Sequence, residues 1–155
     1  MKMNNKPEAT PENRPDKSAP LYTLSVASRL SGISVYTIQQ WINKGLILPF
    51  KTPTNRNLFS DIDVKRLRNI RAMIDEHGLN IAGIKALYAL IPCWILKPCT
   101  DKDRKNCQAY DSVMYPCWDA AEKGPECKYI DCRTCEVYRT PVETENIKSL
   151  IKKLL

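Results

Sequence analysis

The sequence predicts a mainly α-helical protein with a helical first half, a small cysteine-rich module and a short helix at the end of the chain. Three observations carry this. Apolar residues recur at helical spacing in four successive stretches between Leu21 and Pro92, each closed by a glycine or a proline. All seven cysteines of the 155 residues fall between Cys93 and Cys135. From Pro141 onward a helical apolar stripe returns.

Residues 1–20 carry four prolines and little that is apolar, the composition of a disordered leader. At "LSVASRLSG", Ser25 is the expected N-cap, with Val26, Ala27 and Leu30 on one face and Gly32 as the stop. "SVYTIQQWINKG" repeats the plan, with Ser34 as cap, Val35, Ile38, Trp41 and Ile42 inward, and Gly45 at the end. Two short helices joined by "GIS" predict a helix-turn-helix. "LILPFKTPTNRNLFS" then suits a hairpin, the wing of a winged helix-turn-helix. "SDIDVKRLRNIRAMIDEHG" opens on a capping box from Ser60 to Asp63 and presents Ile62, Leu67, Ile70 and Ile74, with Gly78 closing it. "NIAGIKALYALIP" is the fourth helix, capped by Asn80, with Ile81, Ile84, Leu87 and Tyr88 inward. The division expected is a leader at 1–20, a winged helix-turn-helix at 21–91, a cysteine-rich module at 93–140 and an amphipathic helix at 141–155.

Residues 21–91 resemble the DNA-binding domain of the MerR family of bacterial transcription regulators, and the heat-shock repressors in particular. "LSVASRLSGIS" and "HGLNIAGIKALYAL" carry that resemblance. It implies that the second helix enters the major groove of promoter DNA while the wing and third helix hold the backbone. It also implies a homodimer, with RNA polymerase as a further partner. Phosphate contacts position such a protein and groove contacts specify sequence.

The charge agrees. Residues 21–92 carry nine Lys/Arg against four Asp/Glu, so +5 of the net +7 lies there, as a polyanionic partner requires. Tyr36, Thr37, Gln39 and Gln40 are the outward positions of the second helix, and a glutamine can pair bidentately with adenine. Lys44, Lys51, Arg56, Lys65, Arg66 and Arg68 are the candidate phosphate contacts. The family pattern has Arg where Gln39 stands, Tyr at Trp41 and Arg at Asn57, so the target sequence does not carry over. Long helices that pair family members are missing after the fourth helix. The terminal stripe Ile147, Leu150, Ile151 and Leu154 is the candidate for pairing instead, with Pro141 in its first turn, Glu143 and Glu145 near its start and Lys152 and Lys153 near its end.

No apolar run approaches the roughly 18 residues of a membrane helix, and no signal-type stretch opens the chain. A cytosolic location is expected, where thiols stay reduced and disulfides are rare. The cysteine segment offers few aliphatic core formers, namely Ile95, Leu96, Val113, Met114, Ile130 and Val137, so it needs a staple. Cys117, Cys127, Cys132 and Cys135 form the first-choice ligand quartet. Cys93, Cys99 and Cys107 are left for a second site or as resolving thiols.

The repeated "PCW" at Pro92–Trp94 and Pro116–Trp118 resembles the two-CW domain, a small bacterial cysteine-rich module. His77, the one histidine, is far along the chain from the cysteines, so the ligands would all be thiolates. That slightly favours an iron–sulfur cluster over zinc. The reading is a metal- or redox-sensing DNA-binding regulator, with coupling expected through Pro92–Cys93 to the fourth helix. The alternative is a purely structural zinc module. An architectural DNA binder is a further rival. An enzyme is not expected, because no histidine stands near to activate a thiol and no glycine-rich cofactor loop exists.

Overall fold

The computed structural model describes residues 16–143 and 147–155. Most of the leader, and Glu145 of the terminal stretch, lie outside the described residues.

Strand β1 (Tyr22–Thr23) leads directly into α1 (Leu24–Ser31), and α2 (Val35–Asn43) follows after a tight turn. The turn is closed by Gly32, whose φ of 72° is left-handed. Ser34 caps α2 as its sequence position demands, its hydroxyl accepting from the Thr37 amide at 3.1 Å. The α1 cap differs from expectation, since Thr23 rather than Ser25 accepts from the Val26 amide. Pairing of Tyr22–Thr23 with β3 holds Thr23 extended, which is the conformation an N-cap needs.

The wing is a hairpin of β2 (Phe50–Lys51) and β3 (Asn57–Phe59), and β1 completes a three-stranded sheet in the order β1-β3-β2. Both pairings are antiparallel, with Tyr22 opposite Phe59 and Phe50 opposite Leu58. α3 (Asp61–Asp75) opens on the expected capping box between Ser60 and Asp63. α4 (Ile81–Ala89) is capped by Asn80, which accepts from the Gly83 amide at 2.8 Å. Inward stripes form the core, with Ile38, Leu67, Ile70 and Ile84 fully buried, while Leu30 and Val35 stay exposed.

Beyond α4 the chain breaks into single turns. These are α5 (Cys93–Leu96), α6 (Asp101–Arg104), α7 (Gln108–Asp111) and two 3₁₀ turns, Cys117–Asp119 and Cys132–Thr134. α8 (Glu136–Glu143) and α9 (Ile147–Leu154) end the chain. The helix therefore starts five residues before Pro141, which sits inside α8 rather than in a first turn. Leu150 is buried in the chain's own core, and Ile147 and Leu154 pack against it. The stripe expected to pair with a second subunit is thus covered by its own molecule.

One core spans both parts. Trp118, Val137, Tyr138 and Leu150 share a buried cluster with Ala27, Leu46, Phe59 and Ile84. Of the aliphatic candidates in the cysteine segment only Val137 is buried; Ile95, Val113, Met114 and Ile130 are exposed. A tryptophan and a tyrosine that each bury on the order of 150–250 Å² take their place. No helix among the described residues is long and apolar enough to cross a membrane.

Candidate functional site

Helix α2 projects Tyr36 well into solvent, at 74% exposure, next to the half-buried Thr37. The Ser34 hydroxyl donates to Thr37 Oγ1 at 2.9 Å, and Gln39 Nε2 donates to Asn43 Oδ1 at 3.2 Å. Gln39 and Gln40 are both half-buried. Lys44 is exposed at the end of α2, and Lys65 is exposed on α3. At the wing tip Lys51 and Arg56 are exposed, and Asn55 adopts a left-handed φ of 62° that lets the chain reverse. Lys51 Nζ donates to Asn55 Oδ1 at 3.3 Å. Asn57 turns inward, with a buried Oδ1 that has no partner.

Arg68 is exposed, but its Nη2 donates to the Leu30 carbonyl, and Arg71 Nη1 donates to the Gly32 carbonyl. These two arginines hold the α1 end of the helix-turn-helix; Arg71 was not among the sequence candidates.

Arg66 corrects the sequence expectation. It is completely buried, not a phosphate contact. Its Nε donates to the Leu46 carbonyl at 2.9 Å and its Nη1 to the Tyr138 carbonyl at 2.6 Å. The guanidinium lies over the rings of Tyr138, Tyr88 and Trp118, at 3.9, 4.7 and 5.0 Å from their centroids. The physical reason is its register on α3, since Arg66 falls one turn from both Ile62 and Ile70 on the buried face.

The second site is a cavity of about 50 Å³ beneath this aromatic cage. All seven cysteines line it, with Trp118, Val137 and Tyr138 on the side of the core. Its volume equals a few water-sized spheres, room for a compact inorganic group rather than an organic cofactor. Both sets of cysteines proposed from the sequence come to this one place.

Burial pushes the Cys117 thiol up to about 12, and the nearby Cys93, Cys132, Cys135 and Cys127 add to it. Burial likewise pushes Cys93 up to about 11, with Cys107, Cys127 and Cys99 as its thiol neighbours. Cys127 is raised by burial too, against the opposing pull of the Lys97 ammonium. Lys123 Nζ donates to Cys132 Sγ at 3.1 Å, and the lining brings two lysines, Lys97 and Lys123, and two acidic residues, Asp103 and Glu126, to the thiol ring. Gly124 backs onto Cys107, where a Cβ would come within 3.3 Å of the cysteine's own Cβ. Among the described residues, no three cysteine, histidine, aspartate or glutamate side chains converge as a cage for a single ion. The thiols ring the cavity instead. His77 is exposed beyond α3, away from them.

The fold and its exposed basic groups define a winged helix-turn-helix unit joined through one core to a thiol-ringed cavity. Residues 22–90 match the family model described as MerR HTH family regulatory protein. The heat shock protein HspR of Streptomyces coelicolor is 34% identical over 74 residues, 48% of this chain and 49% of that protein. The HTH-type transcriptional regulator GlnR of Bacillus cereus is 39% identical over 69 residues, 44% of this chain and 53% of its own length. MlrA of Escherichia coli K12, also an HTH-type transcriptional regulator, is 34% identical over 68 residues, 43% of this chain and 28% of MlrA. The chain spans about half the length of the first two relatives.

Proposed function

We propose that this chain is a DNA-binding transcription regulator whose cysteine cavity holds a metal or an iron–sulfur cluster and reports its state to the DNA reader. The convergence of all seven thiols on one cavity against the winged helix-turn-helix carries the reading. In the DNA complex α2 lies in the major groove, with Tyr36, Thr37, Gln39 and Gln40 toward the bases. Lys44, Lys51, Arg56 and Lys65 take phosphates, and Arg68 holds α1 as well as adding charge. Arg66 has no place in that interface. The protein acts as a homodimer at promoter DNA in the cytoplasm, with RNA polymerase as a further partner.

The donor set fits a soft metal. Seven thiols, which outnumber the two carboxylates Asp103 and Glu126 and the two lysines Lys97 and Lys123 around this small space, favour thiophilic ions over hard ones. Cys117, Cys127, Cys132 and Cys135 hold the group, and Cys93, Cys99 and Cys107 complete the ring. Because the thiols surround the space rather than meet at one point, a ligand spanning several of them suits it, which favours iron–sulfur over a lone zinc. Such a cluster supplies one-electron chemistry when bound; zinc supplies rigidity alone. The shared core of Trp118, Val137 and Tyr138 favours the second reading in one respect, because a purely structural zinc module would pack in the same way.

Anaerobic purification followed by an absorption spectrum and assays of iron, sulfide and zinc separates the two. A coloured protein with iron and acid-labile sulfide supports the sensor. A colourless protein with stoichiometric zinc, and DNA affinity indifferent to oxidation, supports the structural module. Absence of any bound metal would overturn both.

A further inference from the structure

The segment 45–48 joins the groove-reading helix α2 to the wing strand β2, and groups beside the cysteines hold it from below. Trp118 Nε1 donates to the Gly45 carbonyl at 2.8 Å. The Leu48 amide donates to the Tyr138 hydroxyl at 2.9 Å. Between them Arg66 ties the Leu46 carbonyl to the Tyr138 carbonyl. Asp119 presses on Gly45, where a Cβ would lie 2.7 Å from its Oδ1, and it forms an ion pair with Lys85 of α4.

These groups are close to thiols along the chain. Trp118 directly follows Cys117 within one 3₁₀ turn. Tyr138 follows Cys135 by three residues, and its amide donates to the Cys135 carbonyl at 3.1 Å. The rings also lock together, Trp118 standing edge-on to Tyr138 with centroids 5.0 Å apart. A displacement of Cys117 or Cys135 toward a ligand therefore has no slack loop to absorb it, and a close-packed interior passes such a shift on.

We propose that Trp118, Tyr138 and Arg66 form a coupling clamp through which occupation of the thiol cavity sets the placement of the groove-reading helix relative to the wing. The inference rests on the regulator reading above, and it gives that reading a route. This route runs under α2, where the sequence had suggested Pro92–Cys93 and α4. The ion pair from Lys85 to Asp119 makes α4 a brace for the same clamp rather than a separate path. Trp118, Tyr138 and Arg66 are positioning residues: the first two line the cavity without offering it a thiolate, and Arg66 is buried behind them.

The test uses the full chain, a DNA fragment that the protein itself enriches from a random pool, and two probes added separately: zinc, and ferrous iron with sulfide. In the wild type, stripped and loaded protein should differ in DNA affinity by at least about fivefold, the lower end of ordinary allosteric coupling. Amide exchange over residues 45–48, Leu48 above all, should slow at least about tenfold on loading, a readout that needs neither DNA nor a variant. A double variant, Trp118→Phe with Tyr138→Phe, keeps an aromatic ring at each position, a smaller one at 118, but loses one donor and one acceptor. It should take up the same metal and still bind the fragment, with the stripped-to-loaded ratio falling to within about twofold. A wild type that binds both metal and DNA yet shows neither the ratio nor the exchange change overturns the clamp and leaves the regulator. So does a double variant that keeps the full ratio. Failure to bind metal or DNA at all removes the regulator reading and the clamp with it.

Discussion

Replacing Arg66 by Met separates two roles that one residue cannot hold together. Met preserves most of the buried stem and removes the guanidinium. The carbonyls of Leu46 and Tyr138 then lose their donors inside the core. Each orphaned acceptor costs about 1–3 kcal/mol. Contacts over three aromatic faces, worth about 0.5–2 kcal/mol each, go as well. Against this stands the relief of a buried charge whose Nη2 has no partner. The expected balance is a loss of about 2–5 kcal/mol, read as a lower urea midpoint at unchanged slope. The salt dependence of DNA binding by the variant that remains folded should be unchanged, since no phosphate contact is removed. A surface phosphate contact would give the reverse pattern: stability within about 0.5 kcal/mol of wild type and a salt slope reduced by about 0.9. That result would refute the buried clamp.

Arg56→Ala at the wing tip should show that reverse pattern, with a salt slope lower by about one in filter or fluorescence binding assays and an unmoved melting curve. Tyr36→Ala, at 74% exposure, should weaken binding to the enriched fragment more than to random DNA, again without a change in melting temperature. Gly45→Ala adds a Cβ at a left-handed φ of 75° and within 2.7 Å of Asp119. Backbone strain alone costs about 1–2 kcal/mol, so thermal unfolding should fall by at least about 2–4 °C. In metal-free protein Cys117, raised to about 12, should react with iodoacetamide at neutral pH at least about 100-fold more slowly than a free thiol. Because only the thiolate attacks, its rate should climb about tenfold per pH unit up to that value; mass spectrometry of the labelled peptides follows it. Labelling as fast as free cysteine would mean that Cys117 is not buried.

The helix-turn-helix was legible because its signals are local. Ser34, Ser60 and Asn80 each cap the helix that follows within three residues, and Gly32 and Gly45 turn the chain where the apolar stripes stop. The first cap was misplaced because the choice between Thr23 and Ser25 depends on a strand partner at Leu58–Phe59, far along the chain. Arg66 looked like surface charge inside "KRLR", yet its spacing of four from Ile62 and Ile70 already put it on the buried stripe. What that spacing cannot supply is the partner set, since Trp118 and Tyr138 lie over fifty residues away and carry no periodic signal. The cysteine ring was half legible. Composition said that the segment lacks a core of its own, but the six spacings between the cysteines do not reveal that all the thiols share one cavity.

That shared cavity explains why the second half has no core of its own. Four of its buried side chains, Trp118, Val137, Tyr138 and Leu150, are committed to the core shared with the winged helix-turn-helix, and its thiols line the cavity beside that core. Folding of residues 93–135 is thus held on one side by the winged helix-turn-helix and on the other by whatever fills the ring. Stabilisation by a metal in small thiolate peptides is on the order of 10–16 kcal/mol, more than the net stability of a whole domain. On the proposed reading, a ligand of that strength changes how firmly Trp118 and Tyr138 are held as it enters or leaves. Those are the residues that grip the end of α2. On the proposed reading stability and signalling share the same side chains, and a variant that loosens the thiol ring should disturb DNA binding.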